Sequence, residues 1–151
     1  MHLATYIGIA HNAEKQLAKE LNRIAEKHKD EPDIEHVCAK MAKWSEQHEK
    51  GLQPFIQKYQ EDRSSVEPER LDSLFNKSRT GSLSMLRDLH DLWLLTQEVR
   101  ISWKVIIQAA QGLRDDELLK TAKDFQEETN RQDTWLLTRI KQAAPQTLIV
   151  A

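Results

Sequence analysis

The chain has 151 residues, enough for one domain with one good core. Charged residues make up 30%, aromatics 6%, and only four Gly and four Pro interrupt it, which excludes a turn-rich β architecture and points to long helices. The net charge of −2 gives no basic bias toward nucleic acid, and the single cysteine, Cys38, excludes an internal disulfide and a cysteine-based zinc cage.

The opening Met1 to Ala10 is apolar but lacks the basic start of a signal peptide, and no window approaches the length of a transmembrane helix. The expectation is a reduced, cytoplasmic protein with no membrane and no nucleic-acid partner. Cys38 reads as a buried small apolar residue rather than a reactive thiol.

The first helix is predicted from about Leu3 to His28. Its stripe is Leu3, Ile7, Ala10, Glu14, Leu17, Leu21 and Ile24, spaced by threes and fours. Pro32 suits the first turn of a second helix that runs to about Tyr59, with Ile34, Cys38, Met41, Ser45, His48, Leu52 and Phe55 inward and a kink expected at Gly51 and Pro54. Gln60 to Gly81 is a long connection with room for about two helical turns at Arg70 to Phe75. A connection of that length crosses the full length of a bundle.

Ser82 reads as the N-cap of a third helix, with Leu83, Leu86, Leu89, His90, Trp93, Leu94, Glu98, Ile101, Val105 and Ala109 on its apolar side and Gly112 ending it. Asp115 or Asp116 caps a fourth helix carrying Leu118, Leu119, Ala122, Phe125, Glu128, Gln132, Trp135, Leu136 and Ile140, and Pro145 stops it. The apolar tail Thr147 to Val150 is expected to fold over the bundle or pack on another subunit. The four tryptophans, Trp44, Trp93, Trp103 and Trp135, read as core and interface mass. There is no internal repeat, no low-complexity segment, and no phosphate-binding or dinucleotide fingerprint.

Each apolar stripe turns polar near its middle, and the depths agree. In a helical hairpin, facing residues are equidistant from the turn. Glu14 and His48 are equidistant from Glu31, and Glu98 and Glu128 from Leu113. Carboxylates at that depth cost several kcal/mol each, on the order of a lost buried partner, unless a cation or strong donors compensate. One solution is a metal among Glu14, His48, Glu98 and Glu128, with His11 one turn before Glu14 and His90 behind Glu98. Such oxygen and imidazole donors suit iron, manganese or zinc. The other solution is metal-free, with Arg131, Gln132, Gln97 and the histidines as protein donors. Ser45 and His48 also share a face, but no strained elbow or oxyanion site accompanies them, so nucleophilic chemistry is disfavoured.

With these residues in place the pattern resembles the ferritin-like superfamily, whose di-metal site takes a Glu from each of two helices and a Glu-x-x-His pair from each of the other two. Here Glu14, Ser45-x-x-His48, Glu98 and Glu128-x-x-Arg131 stand at those positions, across almost the whole chain. Ser45 replaces a carboxylate and Arg131 a histidine. The resemblance implies one all-α domain over residues 1–151, an antiparallel four-helix bundle of ferritin-like type with a long crossover between its second and third helices. It implies a reduced or vestigial metal site binding at most one metal ion, or none. A homodimer is expected. The alternatives are a metal-free structural or stress-related dimerising bundle, and a di-iron oxidoreductase in which His11 supplies the missing histidine.

Overall fold

The computed structural model describes residues 2–60, 80–81 and 83–150. Four helices account for nearly all of them: α1 (Leu3–Lys27), α2 (Pro32–Lys58), α3 (Ser84–Leu113) and α4 (Asp116–Pro145), followed by a π-helical turn, Gln146–Val150. Among the described residues there is no strand, and no helix is long and apolar enough to cross a membrane. The expected cap at Ser82, the short helix at Arg70 to Phe75 and the path of the long connection lie outside the described residues.

The stripes of α1 and α2 bury as their spacing predicts. Ile7, Leu17, Leu21 and Ile24 of α1 and Ile34, Cys38, Met41 and Leu52 of α2 are sealed from water. They form one core with Leu89, Leu92, Leu95 and Ile106 of α3 and Leu118, Ala122 and Leu136 of α4. α1 packs most extensively on α2, and α3 on α4; α1 also packs on α3, whereas α2 and α4 touch far less. Burial, aided weakly by the charge of Asp33, pushes the Cys38 thiol up to about 12, so it remains protonated and inert.

The helix ends have local causes. Pro32 opens α2, with Asp33 and Glu35 in the first turn, where negative charge complements the helix dipole. α2 then continues through Gly51 and Pro54 to Lys58. At the start of α4, the Asp115 side chain accepts from the Leu118 amide at 3.0 Å, as its cap position predicts. The same carboxylate accepts from Lys58 Nζ at 2.9 Å and from the Tyr59 hydroxyl, tying the end of α2 to the start of α4.

Two expectations for α3 need correction. Gly112 does not end the helix. The left-handed cap is Arg114, at φ 56°, and the Asp115 amide closes the turn on the Ala110 carbonyl at 3.0 Å. The inward face is also rotated by about one residue from the predicted one. Leu92, Leu95, Val99, Trp103, Ile106 and Ala110 are buried, while Leu83, His90 and Ile101 are exposed and Glu98 is half-buried. α3 carries apolar residues on most of its circumference, so the 3.6-residue period does not single out one face.

Candidate functional site

Glu14 replaces an apolar residue between Ala10 and Leu17 on the buried stripe of α1, and His48 does the same between Met41 and Leu52 on α2. Both are fully shielded from water. Their side chains meet, His48 Nδ1 lying 3.1 Å from Glu14 Oε1. The other ring nitrogen, Nε2, lies 3.0 Å from Glu128 Oε1 on α4. From α3, Trp103 Nε1 donates to the same Glu14 oxygen at 3.0 Å. Each helix therefore contributes one polar group to a single hydrogen-bonded chain inside the core.

Aromatic packing fixes the imidazole. The Phe125 ring stacks on it with centroids 4.5 Å apart and planes at 27°, and Trp103 meets it edge-on at 6.3 Å. One turn along, Gln132 Nε2 donates to Ser45 Oγ at 2.9 Å and to the Met41 carbonyl at 3.0 Å. Ser45, Thr129 and Gln132 are buried, so this polar layer has two tiers, one built on His48 and one on Gln132.

Electrostatics favour a charged ring. Burial opposes protonation of His48, but the hydrogen bond and charge of Glu14, followed by those of Glu128, outweigh it and raise the pKa above 6.5. Each ring nitrogen faces a carboxylate oxygen, the arrangement that an imidazolium, with a donor on both nitrogens, satisfies. Glu128 is 26% exposed and keeps access to water. Among the described residues, Glu14 Oε2 is buried with no hydrogen-bond partner, and so is Gln132 Oε1.

The other expected site residues lie elsewhere. His11 sits on the outer edge of α1 with its ring 2.9 Å from Gln53 Nε2 and 3.7 Å from Glu49. Glu98 is half-buried, and its backbone carbonyl accepts from Ser102 Oγ at 2.8 Å; both His48 nitrogens are already engaged by other carboxylates. Arg131 and His90 are exposed. Arg131 lines a shallow surface depression with Asn130, Thr134, Trp135 and Thr138, and the side chain beside Glu128 is His48. Glu127, next to Glu128 in the sequence, is exposed. Trp103, expected as core mass, is also the donor that α3 supplies. Its signal was latent: a buried indole N–H needs an acceptor.

The donor set does not fit a di-metal centre. Among the described residues no three His, Cys, Asp or Glu side chains form a group that could hold a metal ion. The two nitrogens of an imidazole point away from each other, so Glu14 and Glu128 approach His48 from opposite sides. An ion on either nitrogen would meet one of the two carboxylates, short of the three or four protein ligands usual for a resident ion. No protein-family model, curated protein or solved structure matches the chain.

Proposed function

We propose that this chain is a divergent ferritin-like bundle protein whose carboxylate/histidine site is vestigial. In this reading a protonated histidine stands where the family places metal ions, and the polar layer sets the register of four helices instead of supporting redox chemistry. The observation that carries it is His48, with Glu14 on one ring nitrogen and Glu128 on the other. Buried polar groups with specific partners are well suited to fixing register.

The order of cross-helix pairs supports an antiparallel bundle. Asn22 with Glu46, Glu14 with His48 and His11 with Gln53 run in opposite order along α1 and α2. Gln97 with Asp133 and Arg100 with Asn130 do so along α3 and α4. Lys27 with Asp88 and Glu14 with Trp103 do so along α1 and α3, and Asp33 with Arg139 and Lys58 with Asp115 along α2 and α4. In that arrangement α2 and α3 run the same way, which supports a long crossover between them. The biological role that fits is structural or stress-related.

One observation favours a second reading. The bare Glu14 Oε2 inside the core is an acceptor that a single iron, manganese or zinc ion beside Glu14 and His48 would satisfy. Elemental analysis of protein purified without chelator, together with oxygen consumption on adding ferrous iron, separates the two. The vestigial reading expects far less than one metal per chain and no iron-dependent oxygen uptake. One bound metal per chain that is lost in His48→Ala would establish the single-metal reading instead.

A further inference from the structure

The seam between α2 and α4 is bridged level by level. Arg139 pairs with Asp33 at one end, and Asp115 with Lys58 and Tyr59 at the other. Between them Gln132 bonds Ser45 and the Met41 carbonyl, and Glu128 bonds His48. One turn from Glu128 toward Asp115, the Phe125 ring takes the space that a side chain at Gly51 would need. α2 and α4 otherwise pack far less than α1 with α2, α3 with α4 or α1 with α3. Among these polar bridges, an apolar ring closes the seam at mid-height.

Exposure puts the way into the polar layer on this same seam. Glu14, Ser45, His48, Trp103 and Gln132 are sealed from water. Glu128, which also bonds His48, is 26% exposed. Around the imidazole, Trp103 meets one edge, Glu14 one nitrogen and Phe125 one face. A molecule arriving from solvent therefore comes to the ring past Glu128, and Phe125 stands beside that path. Moving the phenyl ring breaks no hydrogen bond, whereas moving Gln132 breaks two.

We propose that the α2–α4 seam is the water entrance of the polar layer, with Glu128 at its mouth and the Phe125 ring as the plug that keeps it shut. Swinging the ring off Gly51 gives water a path to His48 and, behind it, to the Trp103–Glu14 bond. No helix has to unfold, so the opening belongs to the local motions that cost far less than global unfolding. Access of this kind is the same whether His48 stands between two bare carboxylates or shares Glu14 with an ion, so neither reading of the site falls with it.

The indole proton of Trp103, bonded to Glu14, reports water arriving behind His48. Its exchange is followed by nitrogen-15 NMR in heavy water at low urea, beside the amides of Leu21 and Ile106 in the sealed core. The chains compared are the parent, Phe125→Leu, Gly51→Ala and Leu17→Val. Phe125→Leu leaves a smaller plug, and Gly51→Ala pushes the ring out while keeping every side chain of the layer. Leu17→Val thins the packing one turn from Glu14 on α1, which forms no part of the seam. In both seam variants the indole should quicken at least about ten-fold more than the core amides, with weak dependence on urea. In Leu17→Val the indole and the core amides should quicken together. Gly51→Ala carries the test alone if Phe125→Leu does not fold. Indole exchange that tracks the core amides in the seam variants would overturn the entrance, and so would an equal selective gain in Leu17→Val.

Discussion

Gly51 of α2 and the Phe125 ring of α4 are in contact so close that no side chain fits between them: a Cβ at Gly51 would stand 2.5 Å from Phe125 Cζ. The ring is not free to retreat, because its face is stacked on His48 and its edge meets Trp103 with centroids 5.7 Å apart. α2 and α4, which pack less extensively than α1 with α2 or α3 with α4, are therefore drawn together at the level of the polar layer.

Gly51→Ala sets two effects against each other. Alanine in a helix interior gains about 1 kcal/mol over glycine. Overpacking a core costs about 1–3 kcal/mol, and displacing Phe125 also disturbs the stack on His48. The expected net result is a destabilisation of about 1–2 kcal/mol in urea unfolding. A variant more stable than the parent would show that α4 yields there freely.

His48→Ala should be among the most damaging single changes. It removes the cation between Glu14 and Glu128 and leaves Glu14 buried beside Trp103 alone. Losing one partner of a buried ion pair costs about 3–5 kcal/mol. Adding Glu14→Gln to the His48→Ala chain removes the stranded charge and should recover part of that loss. Equal and additive effects of the two substitutions, measured by urea unfolding, would mean that the groups do not interact.

The pH dependence follows from two groups with opposite signs. His48 has a raised pKa in the fold. Its contribution is fully present below about 6.5, the ordinary histidine value, and is lost as the pH rises through the folded value. Asp115 is lowered to about 2; burial opposes the shift, but Tyr59, the Leu118 amide and Lys58 outweigh it. Its contribution is present above the ordinary value of 3.8 and is lost as the pH falls through about 2. The melting gap between the parent and His48→Gln should narrow on the alkaline side. The gap between the parent and Asp115→Asn should narrow on the acid side, between about pH 4 and pH 2. A gap that is constant with pH would remove the corresponding ionic contact.

Arg114 holds the left-handed cap of α3, a conformation that costs a residue with a Cβ about 1–2 kcal/mol. Arg114→Gly should therefore raise stability by up to about 1 kcal/mol, the larger chain entropy of unfolded glycine offsetting the remainder. A fall in the melting temperature would mean that the guanidinium makes a contact worth more than the relieved strain.

The sequence was legible where one face of a helix is apolar and the rest charged. The stripes of α1 and α2 bury as read, and that of α4 in part, through Leu118, Ala122, Gln132 and Leu136; with them comes the inward placement of Glu14, Ser45 and His48. The cap at Asp115 was legible because its side-chain chemistry is local. α3 was not, since Leu92, Trp93, Leu94 and Leu95 in succession satisfy any phase of a helical period. That one-residue rotation put Glu98 at the centre of the expected site and hid Trp103. The end of α3 was misplaced for a related reason. Gly112 is the residue that prefers a left-handed cap, but the connection to α4 puts the turn two residues later, at Arg114. His48 was visible as a core histidine, whereas its use of both nitrogens on carboxylates from different helices is a tertiary fact that spacing does not encode.

The central claim is that the His48 ring is a fixed imidazolium held by Glu14 and Glu128. Nitrogen-15 NMR of the histidine side chains, with His48 assigned by comparison with His48→Gln, reads this directly. Both ring nitrogens of His48 should carry protons at neutral pH and remain protonated above the range in which an ordinary histidine titrates, unchanged by chelator. A neutral ring with one protonated nitrogen at neutral pH, or a nitrogen shift that moves when metal is removed, would contradict the account.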